Sequence, residues 1–119
     1  MTLVDTSIWV EHLKVGSVEL ARLLDEGRVL GHPFVIGELA LGGLRGRDRV
    51  LRSMTELPQA VVATHDEVMS MIDRRRLWGR GVGFVDAHLL AAAALSGAEL
   101  WTQDRGLAAL AGDLGLGRA

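Results

Sequence analysis

Apolar residues fall along this chain in short runs, each closed by a glycine, a proline or an acid. Thr2-Leu3-Val4 predicts a three-residue strand that stops at Asp5, and residues 7–13 read as one or two helical turns. Ser17 can cap a helix carrying Leu20, Ala21, Leu23 and Leu24, which Gly27 ends. Val29-Leu30-Gly31 predicts a second strand before Pro33, and a helix follows over residues 34–41, ending at the Gly42-Gly43 pair. Val50, Leu51, Met54 and Leu57 recur at helical spacing and halt before Pro58. Ala60-Val61-Val62 predicts a third strand. Thr64 and Glu67 form a capping-box pattern ahead of Val68, Met71 and Ile72. Gly79, Gly81 and Gly83 interrupt the chain, and Asp86 opens its most apolar segment, which runs to Gly97. Leu100-Trp101-Thr102 predicts a last strand, with a short helix over residues 105–111.

Strands and helices thus alternate, without repeats or low-complexity linkers. That order predicts an α/β fold with a parallel sheet covered by helices on both faces, joined by right-handed crossovers. In such sheets the binding crevice lies beyond the carboxyl ends of the strands. The length of 119 residues allows one domain, spanning 1–119, able to bury roughly two thirds of its unfolded surface. The absence of Cys removes disulfides, thiolate metal sites and a Cys nucleophile. No secretory leader is visible, and the longest apolar run, residues 89–95, is too short to span a bilayer, so a soluble cytoplasmic protein without membrane partners is expected. The formal net charge of −2 does not advertise a nucleic-acid partner. Twelve of the thirteen basic residues are Arg, which fits either a coding bias or a use of the planar, phosphate-gripping fork.

Four of the fifteen acids stand apart from polar surroundings. Asp5 follows the first strand and Asp104 the last, so the strand rule brings both to one crevice although they lie at opposite ends of the sequence. Asp86, in Gly83-Phe84-Val85-Asp86-Ala87, and Glu38, in Val35-Ile36-Gly37-Glu38-Leu39, have apolar neighbours on both sides. Taken singly, Asp5, Asp86 and Asp104 are ordinary helix caps, and Glu38 pairs with an Arg. Together they repel: at about 4 Å and an effective dielectric near 20, each pair costs about 4 kcal/mol. A cation among them relieves that cost, and all-oxygen ligation selects Mg²⁺, or Mn²⁺ in its place, over softer ions.

Leu3-Val4-Asp5-Thr6-Ser7, Gly37-Glu38-Leu39, Phe84-Val85-Asp86-Ala87-His88 and Trp101-Thr102-Gln103-Asp104 resemble, in order, the four acidic motifs of PIN-domain nucleases, nearest to VapC-like toxins of toxin–antitoxin pairs. Each motif alone is weak; the ordered set covers nearly the whole chain. The resemblance implies a three-layer α/β/α fold with Asp5, Glu38, Asp86 and Asp104 as catalytic Mg²⁺ ligands. It also implies cleavage of RNA, a homodimer, and inhibition by a small VapB-like antitoxin whose tail blocks the site. Thr6, Ser7 and Thr102 lie beside the acids as donors that orient carboxylates or waters. Relatives often carry one more acid; only Asp113 is at hand here, and its distance along the chain from Asp104 bears on a second metal, not on the first.

Two basic runs, Arg45, Arg47, Arg49 with Arg52, and Arg74, Arg75, Arg76 with Arg80, read first as solvated helix faces. The second is the candidate for contact with an RNA backbone. His88 is expected to pack rather than ligate, and His12, His32 and His65 lack metal-ligand spacing. Packing, in the core or across a dimer, is likewise the expectation for Trp9 and Trp78 over base stacking. A receiver domain would need early paired acids and a late Lys, and a dehalogenase-like phosphatase a second Asp at position 7; neither fits. A PIN nuclease that processes RNA without being a toxin, and a non-catalytic module with the same fold, remain as alternatives.

Overall fold

A computed structural model describes residues 1–118. Its core is a three-stranded parallel sheet in the order β2-β1-β3, built from β1 (Thr2–Val4), β2 (Val29–Leu30) and β3 (Glu99–Trp101). Leu3 and Val4 are fully buried and pair on one side with Leu30, through Leu3, and on the other with Leu100 and Trp101. A strand buried on both faces reads as a continuous apolar run, as these do.

Among the described residues seven helices surround the sheet: α1 (Thr6–Val15), α2 (Val18–Asp25), α3 (Pro33–Leu41), α4 (Arg47–Glu56), α5 (His65–Arg75), α6 (Phe84–Ser96) and α7 (Arg105–Asp113). Sheet and helices together make the three-layer α/β/α arrangement expected for a PIN-like fold. Local chemistry sets the helix ends. Ser17 Oγ accepts from Leu20 N–H at the start of α2, and Thr64 and Glu67 form a reciprocal capping box on α5. Gly97, at φ 62°, closes α6 with both its helix-end bonds made. Seven successive residues of α6, Ala87 to Ala93, are buried, so this helix is the interior one and its apolar stretch needs no amphipathic pattern.

Two expectations are corrected. Residues 60–62 form no strand: pairing there shrinks to a single bridge between Gly31 and Gln59. The Val61 N–H donates instead to Ser96 Oγ at 2.9 Å, and Val61 and Val62 are exposed, so neither ladder nor core holds them in the sheet. The helix expected to open at Asp86 opens at Phe84, two residues earlier. Past α7 the chain meets the sheet through a single bridge, between Leu100 and Gly117.

Candidate active site

β1, β2 and β3 all end on the same side of the sheet, and the acids follow from there. Asp5 leaves β1 with its N–H still donating to Trp101 O at 2.9 Å, which extends the ladder by one rung and sets Asp5 beside Thr102. Asp5 is buried. Its Oδ1 accepts the Thr6 N–H at 2.8 Å, while Oδ2 accepts the hydroxyls of Thr102 at 2.7 Å and Ser7 at 2.8 Å. Three donors on one carboxylate fix its orientation.

The same hydroxyls carry the network onward. Thr102 Oγ1 accepts the Asp104 N–H at 3.1 Å, and Ser7 Oγ accepts the Gln103 N–H at 3.0 Å. Asp104 caps α7 through Oδ1, which accepts the Leu107 N–H at 2.8 Å. Thr6 Oγ1 donates to Glu38 Oε1 at 2.6 Å, linking α1 to the second turn of α3. The cap geometry expected for Asp5 and Asp104 is therefore present. Asp104 keeps Oδ2 free of a protein partner among the described residues.

Asp86 is neither at a strand end nor a cap. It sits in the first turn of α6, where Oδ2 accepts the Gly83 N–H at 3.3 Å. Burial first, and after it the charges of Asp5, Asp104 and Glu38, hold its carboxyl above the ordinary value, against the opposing pull of the Gly83 bond. Four acids drawn from β1, α3, α6 and the end of β3 thus lie within electrostatic reach of one another. Among the described residues no Lys or Arg forms an ion pair with any of them. Nor do three carboxylate or imidazole groups already stand close enough to hold one ion. The donor set fits a hard divalent cation, because it is all oxygen, highly negative and without its own counter-charge. Glu38 is exposed, so its side chain has room to turn toward such an ion.

The basic residues are distributed unevenly. Arg74 and Arg75 end α5 exposed, and Arg76 follows with left-handed backbone at φ 56°. Arg80 differs from the other three: its guanidinium is held by Asp113 at 2.8 Å. That pair also occupies the only acid near the chain's end, and α7 separates Asp113 from Asp104 by about 13 Å of helical rise.

Trp9 packs in the core at 5% exposure, but Trp78 is not in the core; it stands 63% exposed at the Gly79 turn. His88 is buried against the rings of Phe34 and Phe84, at 4.7 and 4.8 Å. His32, fully buried, caps α3 by accepting the Phe34 N–H on Nδ1 at 3.0 Å. Burial, and then His88, push its pKa down to about 4. These aromatic neighbours, and the backbone donors of Gly83 and Gln103, had no sequence motif to reveal them. The one available signal was that Phe34 and Phe84, the only Phe residues in the chain, stand four and two positions before Glu38 and Asp86.

Residues 2–113 match the PIN domain family. Ribonuclease VapC32 of Mycobacterium tuberculosis, in the strains CDC 1551 / Oshkosh and ATCC 25618 / H37Rv, is 50% identical over 120 residues, covering 100% of this chain and 97% of the relative. With four acidic segments meeting where the strands end, and that agreement along its whole length, this chain belongs to the PIN-domain family and is a VapC-like member of it.

Proposed function

We propose that this chain is a Mg²⁺-dependent endoribonuclease acting as the toxin of a toxin–antitoxin pair. The observation that carries the reading is the gathering of Asp5, Glu38, Asp86 and Asp104 with no ion-paired Lys or Arg among the described residues. These four carboxylates are the ligands, with Mn²⁺ able to substitute. When bound, the ion supplies an activated nucleophile at neutral pH and charge relief on the phosphodiester.

The chain's own residues divide the remaining work. Asp5, clamped by three donors, is the fixed point of the site. Ser7 and Thr102 hold it, and through its N–H bond to Thr102 they hold Asp104 in register with it. Thr6 steadies Glu38 at the open side. Arg74, Arg75 and Arg76, exposed at the end of α5 and just past it, meet the RNA backbone, and their positive charge offsets the repulsion between an acidic cleft and a polyanion. The name of the 50% identical relative supports ribonuclease chemistry, and the resemblance of the four motifs to toxins of toxin–antitoxin pairs supports a small antitoxin partner. A homodimer working in the cytoplasm completes the reading.

One observation favours the non-catalytic alternative: no three ligand groups are preassembled among the described residues. Purified protein decides between them. RNA cleavage that requires Mg²⁺ or Mn²⁺ and disappears in Asp5→Asn, with circular dichroism unchanged, is the expected result. Cleavage retained by Asp5→Asn means the acids are misassigned, and a chain that binds no divalent ion by calorimetry is the module. Growth arrest on induction, absent with Asp5→Asn, tests the toxin role.

A further inference from the structure

Beside the Asp86 turn lies an apolar cavity that the hydrolytic chemistry leaves unused. It measures about 150 Å³ and sits between the end of α5 and the start of α6, with Trp78 and Phe84 in its lining together with Ile72, Leu77, Val82 and Gly83. No charged residue lines it. Its two aromatic residues are 63% and 46% exposed, a large apolar surface for the fold to leave in water. Exposed patches of this kind mark contact sites.

Its position says what fits. Gly83 both lines the cavity and donates its N–H to Asp86 Oδ2 at 3.3 Å, so cavity and carboxylate share a single turn of chain. One helical turn is about 5.4 Å, comparable with the span from a nucleotide's base to its phosphate. Phe84 packs edge-on against the buried His88 ring, which in turn meets Phe34, and Phe34 stands one turn before Glu38 on α3. A phosphate attracted to a cation at the acids therefore carries its base onto aromatic rings. Arg75 and Arg76, exposed and immediately before Leu77 in the chain, add positive charge next to this segment in sequence.

We propose that this cavity receives an unpaired base of the RNA, stacked on Trp78 and Phe84, next to the phosphodiester held at Asp86. Aromatic stacking is the common means by which proteins grip single-stranded RNA, and it tolerates any base because every base has a π-face. This assignment rests on the nuclease reading above.

The test uses the full chain carrying Asp5→Asn, so that RNA survives, and fluorescence anisotropy with a labelled single-stranded oligoribonucleotide of mixed sequence. Adding Trp78→Leu should weaken binding about tenfold, the weight of one stacked base, while Trp78→Phe keeps most of it. A series of abasic substitutions along the RNA should reproduce that loss at one position, and there Trp78→Leu should cost nothing further. Phe84→Leu gives the same pattern if the cavity is the site. Equal affinity of parent and Trp78→Leu overturns the proposal while leaving cleavage by the unsubstituted chain intact. Trp78→Leu that turns a dimer into a monomer, with RNA affinity per protomer unchanged, assigns the surface to a second copy and also overturns it. If the unsubstituted chain neither cuts nor binds RNA, this proposal falls together with the nuclease reading.

Discussion

Replacing Thr102 with Val removes one hydroxyl and little volume, and it isolates what the network around Asp5 contributes. That hydroxyl donates to Asp5 Oδ2 at 2.7 Å and accepts the Asp104 N–H at 3.1 Å. A hydrogen bond to a charged acceptor is worth about 1.5–3 kcal/mol net. Ser7 still donates to the same oxygen at 2.8 Å, and Asp104 is exposed, so its N–H finds water. The loss therefore belongs at the lower end, about 1.5–2 kcal/mol, or roughly 5–10 °C in thermal midpoint for a domain of this size. Urea unfolding reads the first number. Mg²⁺ titration by calorimetry should show affinity weakened about 10–100-fold, the usual consequence of freeing a ligand from its outer partner. Thr102→Ser should restore both. Because Ser7 and Thr102 share one acceptor oxygen, Ser7→Ala and Thr102→Val should be non-additive by more than about 0.5 kcal/mol. A Thr102→Val protein within about 0.5 kcal/mol of the parent, with unchanged Mg²⁺ affinity, would refute the claim that this hydroxyl holds Asp5.

Asp86 binds a proton more tightly folded than unfolded, so stability falls as pH rises from the ordinary carboxyl value through the raised one. Without metal at pH about 7, Asp86→Asn should melt a few degrees above the parent while losing cleavage, and added Mg²⁺ should narrow that gap; a variant that melts lower sinks the reading. His32 works in the opposite direction: with its pKa depressed to about 4, stability is full above the ordinary 6.5 and drains as pH falls through that window. His32→Asn keeps an acceptor for the Phe34 N–H and should flatten this dependence in urea midpoints; a gap that does not change with pH rejects it. Charge reversal at Arg75 and Arg76 should weaken RNA binding and flatten its salt dependence; unchanged binding removes these residues from the interface.

What could be read in advance follows a physical division. Asp5 and Asp104 were legible because each ends an apolar strand, and the parallel sheet delivers strand ends to one place. Asp86 was recognisable as an acid in apolar surroundings but was misplaced along its helix, since Phe84 and Val85 give no sign of whether they precede or begin the first turn. Residues 60–62 have the composition of a strand, yet pairing depends on where the backbone donors go, and the Val61 N–H goes to Ser96. Trp78 was expected to pack in the core or across a dimer, and it is the core that does not take it. The left-handed backbone at Arg76 and the turn at Gly79, φ 72°, carry it outward instead, and nothing local in composition encodes that.

Asp5 and Asp104 cap the starts of α1 and α7, and Asp86 lies in the first turn of α6. Each helix carries the equivalent of roughly half a positive charge at that end. The backbone thus aims a positive field into the very cleft the side chains make negative. In the proposed reaction a cation would be gripped by the carboxylates, while the oxyanion accompanying it would face aligned peptide dipoles rather than bare acids. Two ligands of opposite sign can share this small volume because the polypeptide's own polarity mediates between them.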